Sequence, residues 1–299
     1  MAYHPLRTSI RLAERVIDVH RCAPAPDLAQ RLIEFYEYCV HDDVPHAPVQ
    51  VYPSGVAVLR FDLRADGVDA TLFGPSLSPH MRGWFYRGVP VFGVAIQAAR
   101  AYQLLGLAVS ELTDLRVALD VFWPFTIRVL KEQLWAARGF AQRVAITSAF
   151  LRTVLRPRAP QPEFLRAFES LVTTHGAVNV QRACGRESSM RTLRRQFTQY
   201  VGLSPKQTAR VIRFQQVLTR LVRGVDVNYA RLAQLTGYSD QAHMIREFVE
   251  LVGVTPGRYV ASLSQPRSAE QAPWTRADPH GAMRPAALVW RVDRPLVMR

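Results

Sequence analysis

The chain has 299 residues, 48% hydrophobic and 10% aromatic, so it is long enough for two packed domains and too apolar for wholesale disorder. Arginine supplies almost all of the formal net charge of +14, which favours a polyanionic partner: DNA, RNA or an acidic membrane surface. No apolar run of about 18 residues occurs, which excludes a membrane-spanning helix. We expect no secretory signal, and the odd number of cysteines, three, is typical of a reducing cytoplasm.

Short β-strands are predicted within residues 50–96. The stretch from Val56 to Leu63 partly alternates between apolar and polar residues, and two further short apolar runs follow at 68–73 and 89–96. Glycines at Gly67 and Gly88 separate these runs. After Gln97 the apolar spacing changes to three and four residues, which is typical of helices; the helices are predicted at Pro124–Arg138 and Phe140–Leu155.

The best domain boundary is the proline-rich segment 157–162, where three prolines in six residues prevent a helix from continuing. Residues 1–156 are therefore predicted to be an α+β domain with strands first and helices after. Residues 163–264 are predicted to be all-α. Residues 265–299 alternate proline, alanine and arginine without a period, which predicts a flexible tail.

Two helix boundaries in the all-α part are marked by turn and capping residues. His175-Gly176 is predicted to end a first helix that carries Phe164 and Leu171. Ser204 and Pro205 supply an N-cap and a first-turn proline for a long helix that Gly224 ends after Arg223. That helix, at 19 residues, is about 28 Å long at 1.5 Å per residue. Successive major-groove faces of B-DNA are roughly 34 Å apart, so it could hold two recognition helices over adjacent turns.

The most informative feature is an internal repeat. Residues 195–205 (RQFTQYVGLSP) and 246–256 (REFVELVGVTP) share Arg, Phe, Val, Gly, an aliphatic, a hydroxyl residue and Pro at one offset, and each follows an alanine-led segment, at Ala183 and Ala233. A helix, a tight turn, a second helix and a Gly-to-Pro break are typical of a helix-turn-helix unit. Residues 160–264 also hold 14 basic and 7 acidic side chains, which is half of the net positive charge in about a third of the length. Two such units indicate a protein that contacts two stretches of DNA groove.

Each unit offers side chains that point away from its predicted core. In the second unit Gly237 makes the turn, Ser239 is the predicted cap, and Met244 and Phe248 face inward. In the first unit Leu193 and Phe197 face inward. The outward residues suit base edges and phosphates, since arginine pairs with guanine, glutamine with adenine, and a small apolar residue with a thymine methyl; these candidates are Arg191, Arg194 and Arg195, then Gln241, Ala242, His243 and Arg246. The alternatives are a solvated arginine face and a core histidine.

The sequence resembles the AraC/XylS family of bacterial transcription regulators over residues 160–263. The resemblance is carried by Gly-Tyr-Ser-Asp-Gln-Ala-His-x-x-Arg-Glu-Phe with Val-Gly-Val-Thr-Pro (237–256), and by Ser-x-Arg-x-Leu-x-Arg-x-Phe with Gly-Leu-Ser-Pro-Lys (189–206). It implies two helix-turn-helix units joined by a long helix, with Arg191, Arg194 and Arg195 contacting bases in one groove and Gln241, His243 and Arg246 in the next. A weaker resemblance of the N-terminal half, through Tyr52-Pro53-Ser54-Gly55 and the run 91–107, implies a domain that senses a small molecule or dimerises.

Other sites are less favoured. A metal site at Cys39, His41, Asp42, Asp43 and His46 lacks a closed tetrahedral spacing, and Trp84-Phe85-Tyr86 could line a ligand pocket or simply pack. No cofactor, metal or catalytic activity is predicted. We expect a cytoplasmic DNA-binding regulator whose partner is double-stranded DNA. RNA polymerase, a small-molecule effector and a second copy are further candidates, and no membrane partner is expected. An enzyme domain in residues 1–156 targeted to DNA, and a non-specific architectural DNA-binding protein, remain alternatives.

Overall fold

The computed structural model describes residues 6–12, 15–40, 46–50, 52–78, 82–86, 88–156, 160–177, 190–222 and 228–264. Its N-terminal part is built from short antiparallel strands. The strands are β1 (Leu6–Leu12), β2 (Arg15–Cys22), β3 (Leu32–Val40), β4 (His46–Gln50), β5 (Ala57–Arg64), β6 (Gly67–Phe73), β7 (Arg82–Tyr86), β8 (Val91–Ile96) and β9 (Arg116–Ala118). One sheet has the order β1-β2-β3-β8-β5-β6-β9, and β4 pairs with β7 in a second sheet.

Two helices cover one face of the larger sheet. They are α2 (Pro124–Ala136) and α3 (Phe140–Val154), and they follow the short α1 (Ala101–Leu105) and three 3₁₀ helices at Ala98–Arg100, Val109–Leu112 and Leu119–Val121. Alternate residues of the central strands, such as Leu59 and Phe61, pack with Ile127, Leu130 and Leu134 of α2 in one apolar cluster. The prediction of an α+β arrangement with strands before helices is confirmed.

The opposite face of the sheet holds buried polar groups. Arg60 and Asp62 are each 8% exposed, and the guanidinium Nη2 lies 2.7 Å from the carboxylate Oδ1. Because Gly93 has no Cβ, the Tyr36 ring occupies the space above strand β8. Burial raises the pKa of the neighbouring Tyr38 phenol to about 12.

Only some of the strands were predicted from the sequence. Strands β5, β6 and β8 lie where they were predicted, but β1, β2, β3 and β4 begin before residue 50. The burial pattern of β3 explains why it gives no clear alternation. Phe35 belongs to the apolar cluster, while Tyr36 on the other face is also buried.

The C-terminal part is all-α, as predicted. Its described helices are α4 (Pro162–Thr173), α5 (Met190–Val201), α6 (Pro205–Val222), α7 (Tyr229–Leu235), α8 (Gln241–Val252) and α9 (Pro256–Ser264). Helix α4 ends at Thr173 and is followed by His175 and Gly176, both with positive φ, and the Gly176 amide donates to the Leu171 carbonyl at 2.7 Å. Ser204 and Gln207 cap the start of α6 reciprocally, through two side chain to backbone bonds. No helix in the described ranges is both long and apolar enough to span a membrane.

The two parts of the chain are packed directly against each other. The Tyr52 ring, which precedes β5, contacts Phe214 of α6 and Tyr259 of α9, with ring centroids 6.3 and 5.8 Å apart. The Thr113 hydroxyl donates to the Gly202 carbonyl at 2.8 Å, at the turn between α5 and α6. Burial, and then the neighbouring Tyr259, raise the pKa of Tyr52. The N-terminal part therefore contacts α6, α9 and the turn between α5 and α6.

Candidate nucleic-acid interface

The first candidate recognition helix, α5, is strongly two-sided. Leu193 and Phe197 are buried, and Phe164 of α4 meets Phe197 edge to face with centroids 5.0 Å apart. On the opposite side the three predicted arginines are all exposed: Arg191, Arg194 and Arg195. This face is free of packing against the described protein. The segment that precedes α5, including Ala183 and Ser189, lies outside the described residues.

The second unit turns where the sequence predicted. Gly237 has φ +79°, and a Cβ at this position would lie 2.7 Å from the Cβ of Ala177. Only glycine avoids both the backbone strain and this clash. Helix α7 before the turn is capped by Asn228, whose side chain accepts from the Arg231 amide at 3.0 Å.

The prediction that Ser239 caps α8 is wrong. The N-cap is Asp240, whose carboxylate accepts from the His243 amide at 2.7 Å. Ser239 lies one residue too early and instead donates its hydroxyl to the Asp240 side chain at 2.9 Å. These two hydrogen bonds, the backbone one first, lower the pKa of Asp240 below its ordinary value.

The outward side of α8 carries most of its predicted residues. Met244 and Phe248 are buried, whereas Gln241, Ala242 and Arg246 are exposed. His243 differs from the others, because its Nδ1 lies 3.0 Å from the Ser239 hydroxyl and its ring packs edge-on against Tyr238. His243 therefore has partners within the protein, and its contact with a base stays a prediction.

A charged cluster that the sequence did not predict fixes α8 to α6. The Glu247 carboxylate oxygen Oε1 lies 3.3 Å from Arg213 and 3.5 Å from Arg210, both on α6, and 3.5 Å from the His243 Nε2. Burial and the charge of Glu247 raise the pKa of the adjacent Tyr238 phenol. The spacing of four residues between His243 and Glu247 was the available sequence signal for one of these contacts.

Arg213 also contacts the residues that follow α4. Its Nη1 donates to the Gly176 carbonyl at 3.0 Å, and its guanidinium lies 5.1 Å from the centre of the Tyr238 ring. Helix α6 contacts α5, α8 and α9, so it connects the two units. In the described ranges no group of three or more His, Cys, Asp or Glu side chains is placed to hold a metal ion. Residues 41–43 of the weighed metal site lie outside these ranges.

Comparison with known proteins identifies this helical segment. Residues 187–262 match a family model described as a helix-turn-helix domain, of the AraC type. This segment is an AraC-type helix-turn-helix domain. The match spans 76 of the 299 residues, which is about a quarter of the chain.

Several solved structures are similar to the chain at low identity. ToxT from Vibrio cholerae O395 has 14% identity and a TM-score of 0.38, covering 83% of this chain and 97% of that chain. ToxT from Vibrio cholerae strain SCE256 with an unsaturated fatty acid bound has 12% identity and a TM-score of 0.39, covering 87% and 98%. The xylose-binding transcription activator XylR has 13% identity and a TM-score of 0.30, covering 42% and 40%. No curated protein matches the chain.

Proposed function

We propose that this regulator binds double-stranded DNA sequence-specifically and places α5 and α8 in two adjacent major-groove segments. The observation that carries the proposal is the matched construction of the two helices. Each helix buries an apolar side chain and a phenylalanine four residues later, Leu193 with Phe197 on α5 and Met244 with Phe248 on α8. Each helix exposes polar residues on the opposite side. Each is followed by a positive-φ glycine, Gly202 or Gly253.

The exposed residues divide by chemistry. Arg191, Arg194 and Arg195 supply donors for guanine edges or phosphate oxygens, and Arg246 offers the same chemistry on α8. Gln241 suits adenine, and Ala242 suits a thymine methyl group. We assign His243 a positioning role next to these residues, since it contacts Ser239 and Glu247 within the protein.

Control through the N-terminal part is supported by its contacts with the DNA-binding part. Helix α5 packs against α1 and the 3₁₀ helices at Ala98–Arg100 and Val109–Leu112, on the side opposite its arginines. An effector that moved these elements would tilt a recognition helix directly. We place this regulator in the cytoplasm, with a small molecule as the effector of the N-terminal part and RNA polymerase as the partner on DNA.

Binding titrations against the chain's own promoter region and against random DNA test the proposal. A sequence-specific regulator prefers its own site by on the order of a thousandfold. Equal affinity for both at several salt concentrations would contradict it and would indicate an architectural DNA-binding protein.

A single substitution tests the assignment of α8. Arg246→Ala should remove discrimination at one base position, costing roughly 1–3 kcal/mol for the cognate base and less for the others. Arg138→Ala is the matched control, because it removes the same charge from an exposed position between α2 and α3. If both variants weaken binding equally on every sequence, Arg246 does not contact a base.

A further inference from the structure

The residues that follow α4 lie between α6 and the turn of the second helix-turn-helix unit. Gly176 has φ +74°, and a Cβ at this position would lie 2.4 Å from the Ala209 carbonyl oxygen of α6. A Cβ on Gly237, at the turn between α7 and α8, would lie 2.7 Å from the Ala177 Cβ. The two residues after α4 are therefore close both to α6 and to the second unit, with no room for a methyl group at either glycine.

One side chain of α6, Arg213, contacts all the groups that meet at this point. Its Nη1 donates to the Gly176 carbonyl at 3.0 Å, and its Nη2 lies 3.3 Å from the Glu247 carboxylate of α8. The guanidinium also lies 5.1 Å from the centre of the Tyr238 ring. The Arg213 side chain is 15% exposed, so water screens these interactions little. Because a guanidinium is planar and carries five donors, it can hold these groups in one fixed arrangement.

The two recognition helices are thus joined by two separate connections. The first is α6 itself, which contacts both α5 and α8. The second begins at α4, where Phe164 meets the Phe197 ring of α5 with centroids 5.0 Å apart. It continues through the Gly176 carbonyl to Arg213 and from there to α8. A single long helix can bend, whereas a second connection beside it resists both bending and rotation of one unit against the other.

The relative position of α5 and α8 decides which DNA sites both helices can contact at once. One base pair added between two contacted segments moves the second segment by about 3.4 Å and rotates it by about 34°, at roughly 10.5 base pairs per turn. Helices that are held rigidly cannot follow this change without losing hydrogen bonds to the bases. Helices that can rotate against one another bind both sites. A rigid connection between the units therefore selects the spacing of a site as well as its sequence.

We propose that Arg213 is a positioning residue that sets the number of base pairs this regulator requires between its two DNA segments. The inference rests on the proposed binding of α5 and α8 to adjacent major-groove segments. Because its guanidinium links the end of α4 to α8, Arg213 holds the two recognition helices at one distance and one rotation. Arg210, one turn earlier on α6, pairs with Glu247 and Glu250 of α8, and it forms no bond to the end of α4 within the described ranges.

Binding titrations of the full chain on a set of duplexes test the role of Arg213. Each duplex carries the regulator's own site, with the two footprinted segments at their native spacing or with one base pair inserted or removed between them. The wild-type chain should bind the altered spacings at least roughly tenfold more weakly than the native one. Arg213→Met should reduce this ratio to about threefold or less, since methionine keeps an apolar stem and has no donor. The ratio compares duplexes, so the lost charge and a general loss of active protein cancel.

Two further variants complete the experiment. Arg210→Met is the matched control, because it removes the same charge from α6 and one contact with Glu247 but leaves the connection to α4, so it should keep the wild-type ratio. Arg213→Lys retains the charge but cannot hold the Gly176 carbonyl and Glu247 in the same planar geometry, so its ratio should lie between those of the wild type and Arg213→Met. Circular dichroism shows whether each variant is folded, and Arg213→Lys decides the question if Arg213→Met is not.

The outcomes separate this inference from the proposed function. A large wild-type ratio that falls in the Arg213 variants and not in Arg210→Met supports the inference. An unchanged ratio in the folded Arg213 variants, or an equal fall in Arg210→Met, would overturn it and leave the proposed function intact. A wild-type chain that binds every spacing equally would contradict the binding of two segments and overturn both.

Discussion

At the scale of single residues, two glutamates on α8 illustrate how burial decides the value of an ion pair. Glu247 is 14% exposed and contacts Arg210, Arg213 and His243, whereas Glu250 is 64% exposed and contacts Arg210 alone among the described residues. Removing a partner from a buried charge cluster leaves the remaining charges unpaired. An ion pair between exposed side chains contributes little to stability, because water solvates the separated charges almost as well.

We therefore predict unequal losses from the same substitution at these two positions. Glu247→Gln should lower the free energy of unfolding by roughly 2–4 kcal/mol, and Glu250→Gln by less than about 1 kcal/mol. Urea denaturation followed by circular dichroism measures both. Similar losses for the two variants would show that the Glu247 cluster does not fix α8 to α6.

The N-cap of α8 predicts that the stability of the folded chain depends on pH. Hydrogen bonds lower the pKa of Asp240 in the folded chain below 3.8, so its carboxylate stabilises α8 at neutral pH. This contribution is present above the unfolded pKa and is lost as the pH falls through the lower, folded pKa. Asp240→Asn should retain a cap at pH 7 and lose this acid sensitivity, while Asp240→Ala should lose stability already at pH 7. Thermal unfolding between pH 2.5 and 7 distinguishes the two variants, and Ser239→Ala is the control. A larger loss of stability for Ser239→Ala than for Asp240→Ala would identify Ser239 as the cap.

At the scale of elements, two glycines end their helices with the same backbone but in different surroundings. Gly237 and Gly253 have φ of +79° and +85°, yet a Cβ on Gly237 would meet Ala177, whereas a Cβ on Gly253 would have no described atom within 4 Å. Gly253→Ala should cost only the left-handed strain, about 1–2 kcal/mol. Gly237→Ala should cost about 1–3 kcal/mol more, from overpacking.

A second substitution tests the cause of that difference. Adding Ala177→Gly removes the atom that the new Cβ would strike, so it should recover the steric part of the Gly237→Ala loss and leave the backbone strain. Urea denaturation of the two single variants and the double variant gives the coupling energy. If the double variant recovers no stability, the Gly237→Ala loss does not come from a clash with Ala177.

The same elements explain what the sequence could predict. Helix ends are set by nearby residues, so the breaks at Gly176, Gly237 and the start at Pro205 were all identified from the chain. The cap at Asp240 was misplaced by one residue because Ser239 and Asp240 are both good caps. Strand β3 escaped detection because its two faces both contain buried residues, which removes the period-two pattern.

In the candidate site, too, the local features could be predicted from the sequence and the long-range contacts could not. Outward positions on α5 and α8 follow from a 3.6-residue period, so the exposed arginines were placed correctly on their helices. The bonds of Glu247 to Arg210 and Arg213 join residues more than 30 positions apart, on helices whose packing no local pattern specifies. The contacts of His243 differ from these, because Ser239 and Glu247 each lie only four positions away and their spacing was a local signal.

At the scale of the whole molecule, the contact between the two parts is also long-range. Tyr52 lies 162 positions before Phe214 in the sequence, and the neighbouring Pro53 carbonyl accepts from the buried Gln215 side chain, which joins the N-terminal part to α6. A second contact pairs Tyr102 of α1 with Tyr200 of α5, with ring centroids 5.3 Å apart. Rings and hydrogen bonds at both ends of the interface favour joint unfolding of the two parts.

This interface gives the last prediction. Wild-type protein should unfold in one transition, with coincident changes in tertiary and secondary structure. Tyr52→Ala removes a ring that is 8% exposed and should cost roughly 3–5 kcal/mol, enough to separate the unfolding of the two parts. Tyr52→Phe loses only the contact with the Tyr259 hydroxyl and should cost about 1 kcal/mol. Tyr86→Ala is the control, because that half-buried ring contacts Arg64 within the N-terminal part. Near- and far-ultraviolet circular dichroism in urea measures all four proteins. Coincident transitions in Tyr52→Ala, or separated ones in Tyr86→Ala alone, would show that Tyr52 does not couple the two parts.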